Sequence, residues 1–235
     1  MKRLIRPDNF GSGVTVFFTG KDPGADLSEI AGIVGIGEDH IFLPVQKHTD
    51  IVVVPDAGLV PMIADAVVTN RKGLLIGIQV ADCVPLLLYD PVRSVIGAVH
   101  AGWRGTAAGI VKNTIRRFVS RFKSNPREIV VAIGPSIRQC CYEVDPDVAY
   151  SVEKATGRCD DIQGDDRRCG YVRKKGAKYH VDLPLANRYQ ALSEGIVAKN
   201  IWTSQDCTFC NPEKYCSFRY SKGTTCRQGG FIGMI

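Results

Sequence analysis

The sequence predicts an α+β fold built on a mixed, largely antiparallel sheet. Three observations predict it. Short β-branched and aliphatic runs crowd the middle of the chain, Gly, Pro and Asp separate them at hairpin spacing, and the amphipathic helices follow these runs instead of alternating with each one. The 235 residues and 45% hydrophobic composition supply enough apolar material for a sizeable core. No internal repeat, low-complexity tract or linker divides the chain, so residues 1–235 read as a single domain.

Residues 14–19 form the first expected strand, and 41–45 and 51–55 two more, flanking a turn that carries His48. Runs at 66–69, 74–80, 84–89 and 94–99 follow. Asp90-Pro91 is a turn, which makes the last two runs a hairpin. Antiparallel pairing there places Cys83, before one strand, beside His100, after the other, at one end of the sheet. Residues 107–122 predict the strongest helix, because Ile110, Val111, Ile115, Phe118, Val119 and Phe122 recur at three-to-four spacing. Thr106 is its expected N-cap and Asn125-Pro126 its stop. A strand at 129–133 comes next. Asp145-Pro146 then opens a second helix with cap and proline in the favoured order, and a third helix covers 185–198. The polar stretch 157–178, which carries Arg167-Arg168 and Arg173-Lys174-Lys175, reads as a solvated loop.

Composition narrows the function. The net charge of +6 is mild and scattered and no nucleic-acid motif accompanies it, so no nucleic-acid partner is expected. The most apolar window, 74–89, is interrupted by Gln79 and Asp82 and is too short to cross a bilayer. Residues 1–7 lack the apolar core of a secretion signal. A cytoplasmic protein that avoids membranes is the expectation. The nine cysteines are odd in number and unevenly spread, which favours free thiols and metal ligands over a disulfide framework.

Chemistry concentrates at His48, Cys83 and His100, which border apolar strands. Two imidazoles and a thiolate suit Zn²⁺ or copper and leave a coordination position open. Cys83 as a nucleophile with His100 as its general base is the metal-free alternative. The plainest reading is two loop histidines and a small buried thiol. Near the C-terminus, Cys207-x-x-Cys210 with Cys216 and Cys226 offers a structural metal site or a disulfide. Cys140, Cys141, Cys159 and Cys169 read as incidental.

Several blocks are more specific. Gln-Lys-His (46–48), Ala-Asp-Ala-Val-Val-Thr-Asn (64–70), Ala-Asp-Cys-Val-Pro-Leu-Leu-Leu-Tyr-Asp (81–90) and Gly-Ala-Val-His-Ala-Gly-Trp-Arg-Gly-Thr (97–106) resemble the YfiH-type family. So do Ile-Gly-Pro-Ser-Ile (133–137), Tyr-Glu-Val (142–144), Asp182-Leu183 with Asn187, and Ser-Phe-Arg (217–219). The resemblance runs in order from about residue 41 to the C-terminus. It implies a layered α/β/β/α-type fold. It also implies a purine nucleoside phosphorylase that takes a nucleoside and phosphate, with adenosine deamination and methylthioadenosine phosphorolysis as related activities. His48, Cys83 and His100 become its metal-binding and catalytic residues, with zinc as the ion and copper as the alternative. An open position on such an ion suits attack at purine C6.

Phosphorolysis also needs partners for the phosphate. Arg104, Arg219 and Arg227 are candidates because guanidinium presents a bidentate fork, with surface ion pairs as their ordinary role. Asp65 and Asp82 are candidate substrate-binding or acid–base groups, or else carboxylates that orient an imidazole or cap turns. Trp103 and Trp202 offer stacking surfaces for a purine or ordinary core packing. The chain departs from the family near its start, where Phe17-Phe18-Thr19-Gly20-Lys21 stands for a Phe-Ser-Thr-Arg-like strand and Lys21 for its arginine. It also has Cys226-Arg227 where Gly-Arg is usual.

The family's older label is multicopper polyphenol oxidase, or laccase-like. Three coupled copper ions would require many more histidines than His40, His48, His100 and His180. A metal-free cysteine hydrolase acting on peptidoglycan precursors or amides is the other enzymatic reading. A zinc-stabilised binding module is the non-enzymatic one, and it requires a fourth protein ligand.

Overall fold

The computed structural model describes residues 4–55, 59–157 and 170–235. The first part of the chain forms β1 (Leu4–Ile5), β2 (Thr15–Thr19), α1 (Leu27–Val34), β3 (Ile41–Phe42) and β4 (Val52–Val53). The middle forms β5 (Ala66–Thr69), β6 (Leu75–Val80), β7 (Val84–Asp90), β8 (Val95–Ala101), α2 (Trp103–Ala107), α3 (Ile110–Phe122), β9 (Val130–Ile133) and β10 (Glu143–Val144). After α4 (Pro146–Thr156) come β11 (Val172–Lys175), β12 (Lys178–Val181), α5 (Leu183–Ser193), β13 (Ile201–Thr203), α6 (Phe218–Ser221) and β14 (Gln228–Gly233).

The mixed, largely antiparallel strands are distributed over two large sheets and a small one. One large sheet has the order β1-β2-β14-β6-β3, the other β13-β9-β7-β8-β5-β4, and the small one β10-β12-β11. Pairing is mainly antiparallel, with parallel contacts at β3/β6, β4/β5 and β9/β13. The two large sheets pack face to face through Phe18, Ile76, Ile78, Leu87, Ala98 and Ile232. Strand alternation sends the neighbouring residues outward. Phe17, Leu75 and Phe231 meet Ile30 of α1, while Leu86, Leu88 and Val99 meet Ile115 and Phe118 of α3. A helix layer therefore covers each outer sheet face, giving the α/β/β/α arrangement. Burial on both faces explains why these strands read as unbroken apolar runs. Each fully buried leucine contributes roughly 1.5–3 kcal/mol.

Several local expectations change. The helix expected over 107–122 starts only at Ile110, because Gly109 takes φ 77°, and a separate short helix, α2, precedes it. Thr106 therefore sits inside α2 and does not cap a helix; its hydroxyl pairs with the Asn187 side chain. The third helix starts earlier, at Leu183, where Asp182 accepts a hydrogen bond from the Leu185 N–H. Within the expected loop at 157–178, Val172–Lys175 pairs with β12, while residues 158–169, with Cys159, Arg167, Arg168 and Cys169, lie outside the described residues. Helix α1 and strand β14 were not anticipated. Cys216 and Cys226 form a disulfide, so the tail is not a four-cysteine ribbon and not every cysteine is a free thiol or a ligand. Among the described residues, no helix is long and apolar enough to cross a membrane.

Candidate metal centre

The chain leaves the five-stranded sheet at Val80 and enters the six-stranded sheet at Val84. The short crossing Ala81-Asp82-Cys83 puts the thiol at the seam between the sheets. Asp82 takes φ 83° there. Its carbonyl accepts from the Ile137 N–H (2.9 Å), and its carboxylate accepts from the Thr208 hydroxyl (2.6 Å) and the Arg219 N–H (2.7 Å). In the neighbouring hairpin Pro85 pairs with His100 and Val84 with Ala101, so Cys83 and His100 share one end of the sheet, as the sequence predicts.

His48 arrives on a turn organised by a buried anion. The backbone N–H groups of Lys47, His48 and Thr49 donate to the Asp65 carboxylate at 3.1, 3.0 and 2.6 Å, and the Thr49 hydroxyl donates at 2.8 Å. Consecutive N–H groups converging on one carboxylate form an anion nest, with His48 in the left-handed region at φ 60°. Gln46 fastens the same segment to β6: its amide donates to the Gln79 carbonyl and accepts from the Gln79 N–H, each at 2.8 Å.

The three candidate ligands converge. The nearest ligand atoms of His48, Cys83 and His100 all lie within 4.8 Å of one another. His48 Nε2 is 3.9 Å from Cys83 Sγ, and the imidazole rings of His48 and His100 meet edge to face at 4.8 Å. His100 Nδ1 is bonded to Asp65 Oδ1 at 2.7 Å, which fixes the ring and leaves Nε2 for an ion. Gly102 closes the cradle. A Cβ there would lie 3.0 Å from Cys83 Sγ and 3.0 Å from His48 Cδ2. The donor set and its orientation fit a borderline-soft ion such as Zn²⁺ or copper. Among the described residues, no fourth His, Cys, Asp or Glu completes this set.

Electrostatics in the metal-free centre are those of an ion pair. Burial pushes the His100 imidazole down, but the hydrogen bonds to Asp65 and Cys83 prevail and raise its pKa to about 9. Burial likewise pushes the Cys83 thiol up, yet the two imidazoles outweigh it and lower the pKa to about 6. The Asp65 carboxyl also pays for burial, but its bonds to His100 and Thr49 hold it well below the ordinary carboxylate range.

A cleft of ≈ 610 Å³ opens over the three ligands, and Asp82, Trp103, Arg104, Arg219 and Arg227 also line it. Arg104 lies over the Trp103 ring at 4.4 Å and Arg219 over Tyr142 at 5.3 Å. Arg219 donates to the Glu143 carbonyl, and Arg227 to the carbonyls of Thr224 and Cys226. Asp65 is fully buried behind His100 with its oxygens engaged, the position that the imidazole-orienting alternative requires. Trp202 stacks on Phe18 in the core between the sheets, away from the cleft, and Lys21 donates to the Pro212 carbonyl. Sequence reasoning missed Tyr142 and Gln46 as cleft residues. Their neighbours in the resembling motifs, Tyr-Glu-Val and Gln-Lys-His, were the available signal.

Known proteins are similar to this chain in fold and in sequence. The crystal structure of YlmD from Geobacillus stearothermophilus matches with a TM-score of 0.85 and 27% identity, over 98% of this chain and 95% of that one. That of the Bacillus licheniformis hypothetical protein YfiH matches with a TM-score of 0.82 and 30% identity, over 94% and 92%. Purine nucleoside phosphorylase YlmD of Bacillus subtilis (strain 168) is 35% identical over 170 residues, covering 72% of this chain and 58% of that protein. Adenosine deaminase RL5, from an unknown prokaryotic organism, is 33% identical over 196 residues, covering 79% of this chain and 72% of that protein. The chain thus spans less than two thirds of the Bacillus subtilis relative's length. With residues 24–235 matching its family model, the chain belongs to the family described as multi-copper polyphenol oxidoreductase laccase.

Proposed function

We propose that this chain is a cytoplasmic, zinc-dependent purine nucleoside phosphorylase whose single catalytic domain spans residues 1–235. Inosine or adenosine and inorganic phosphate would give the free base and ribose 1-phosphate. The observation that carries the reading is the convergence of His48, Cys83 and His100 at the floor of a cleft rimmed by three guanidiniums. His48, Cys83 and His100 would hold the ion. When bound, it supplies Lewis acidity toward a substrate atom at its open position.

The chain's own groups supply the rest. A phosphate oxygen forms a bond to C1′ while the C1′–N9 bond breaks, and the electron pair leaves with the purine. The proton that hydrogen phosphate gives up ends on a purine nitrogen. Arg104, Arg219 and Arg227 bind the phosphate dianion through paired N–H donors. Trp103 offers a face for the purine ring. Burial, together with the nearby Cys83 charge, keeps the Tyr142 phenol protonated, so it donates a hydrogen bond and does not act as a base. Asp82, 7% exposed and already bonded to Thr208 and Arg219, holds Arg219 in place.

Adenosine deamination is the second reading, favoured by the deaminase name of one relative. A laccase-like centre has less support: His40 is exposed and pairs with Asp39, and His180 pairs with the Gln139 carbonyl, so neither joins the other two histidines. A binding module with structural zinc would need a fourth ligand beside these three.

The test incubates purified protein with inosine, with and without phosphate, and follows hypoxanthine and ribose 1-phosphate. Equal amounts of both products, formed only with phosphate, are expected. Cys83→Ala should lower kcat/KM by about 100-fold or more. Base release that ignores phosphate, or full turnover by Cys83→Ala, overturns the proposal. Inosine formed from adenosine is assayed in parallel for the second reading.

A further inference from the structure

Four cysteine sulfurs that the cleft chemistry does not use gather on the far side of Asp82. Cys140 and Cys141 lie in the turn before Tyr142, and Cys207 and Cys210 in the loop after β13. Cys141 Sγ is 3.5 Å from Cys140 Sγ and 3.3 Å from Cys210 Sγ, and Cys140 and Cys210 are 3.9 Å apart. All four sulfurs fall within 4.8 Å of one another. Thiolates at the corners of a tetrahedral zinc site, with bonds of about 2.3 Å, lie about 3.8 Å apart, in the middle of this range.

The backbone is arranged as such a site needs. The Arg138 N–H donates to Cys207 Sγ at 3.5 Å, and the Cys210 N–H points to the same sulfur. Ser136 bridges to Cys207, and the Thr208 N–H donates to the Ser136 carbonyl at 3.1 Å. The N–H groups of Cys141 and Tyr142 both return to the Arg138 carbonyl at 2.9 Å, closing the turn that presents the adjacent cysteines. Two sequence-distant loops are thus already in register before any ion arrives.

We propose that Cys140, Cys141, Cys207 and Cys210 form a closed, four-thiolate Zn²⁺ site, separate from His48, Cys83 and His100. With four protein ligands it has no open position, so its role is structural. It fastens the loop at 136–142 to the loop at 207–210. Those loops supply the Ile137 and Thr208 bonds that hold Asp82, the residue before Cys83, and Tyr142 directly follows Cys141. The ion therefore secures the backbone on which the cleft thiol is presented. The inference does not depend on which reaction the cleft performs.

Zinc per chain, measured by mass spectrometry on the full-length protein purified under reducing conditions, tests it. Cys140→Ser/Cys210→Ser should lose about one zinc relative to wild type. His48→Ala/His100→Ala should keep the ion at the cysteines. Cobalt substitution adds a signature: strong sulfur-to-metal charge-transfer absorption that persists in the histidine variant and diminishes in the cysteine variant. Should the cysteine variant not fold, iodoacetamide labelling of wild type decides instead. The four cysteines should be protected together and exposed together by a chelator. An unchanged zinc content in the cysteine variant, iron in place of zinc, a Cys141–Cys210 disulfide in the reduced preparation, or full labelling before chelation overturns the proposal.

Discussion

Asp65 accepts four bonds from the 47–49 turn and a fifth from His100, so one buried carboxylate orients the His100 imidazole and holds the turn that carries His48. Replacing it by Asn keeps the shape but turns an amide donor toward N–H groups. Asp65→Asn should lower metal affinity and kcat/KM by about 10–100-fold and stability by roughly 1–3 kcal/mol, measured by metal titration and urea unfolding. Its folded pKa is depressed, so its contribution to stability is present above the unfolded value of about 3.9 and is lost only as pH falls through the lower folded value. Gly102→Ala isolates the cradle. Its φ of −73° suits alanine, so the added methyl acts through crowding of Cys83 and His48. Metal affinity should fall by about 10-fold or more, while the melting temperature measured in chelator should match that of the wild type in chelator. A third expectation concerns protons. At pH 7.5 the metal-free Cys83 (about 6) is already a thiolate, while His100 (about 9) still carries the proton that an ion must displace. Binding should release about one proton from this pair near pH 7.5, fewer as pH rises through about 9 and more as it falls through about 6. Calorimetry in buffers of different ionisation enthalpy reads this number.

Gly109 shows how an element boundary can hide inside good periodicity. Apolar spacing runs smoothly from Ile110 to Phe122, and the strong helix formers Ala107 and Ala108 just before it extend the expected helix too far toward the N-terminus. The break comes from the left-handed conformation at Gly109, where a Cβ would have open space and no contact closer than 3.9 Å. Gly109→Ala should therefore cost about 1–2 kcal/mol, mainly in backbone conformation, and leave metal binding intact; denaturant melts check it. The β7–β8 hairpin was legible because Asp90-Pro91 interrupts two long apolar runs, and with it the proximity of Cys83 and His100. Strand β14 was not, since Gln228-Gly229-Gly230 carries little β propensity and its place between β2 and β6 is set by long-range pairing. Helix α1 did carry a local signal, as Asp26 accepts from the Glu29 N–H and Gly35 closes the end. The Asp65 role depended on burial, which Ala-Asp-Ala does not encode. The Cys140–Cys210 proximity depended on a bridge between loops some 70 positions apart.

The centre belongs to both sheets, and this ties its chemistry to global stability. Cys83 lies on the crossing between β6 and β7, which belong to different sheets, and His48 follows β3 of the five-stranded sheet, while His100 is in β8 of the six-stranded one. An ion held by these three side chains requires both sheets in place, so it binds the native state more tightly than the unfolded chain. Such a ligand stabilises by about 2.7 kcal/mol at a free concentration 100-fold above Kd. For a chain of this size that corresponds to roughly 5–10 °C in melting temperature. Chelation should lower the melting temperature of the wild type by this order in a single transition, because no part of the centre can be released while one sheet stays intact. The two sites then separate by variant. In Cys140→Ser/Cys210→Ser the cleft ion is retained, and chelation should still produce a shift. In His48→Ala/His100→Ala the remaining shift reports the four-thiolate site alone. Differential scanning calorimetry with and without chelator decides the matter: an unmoved melting temperature, or a split into two transitions, would show that the centre is not bound across the two sheets.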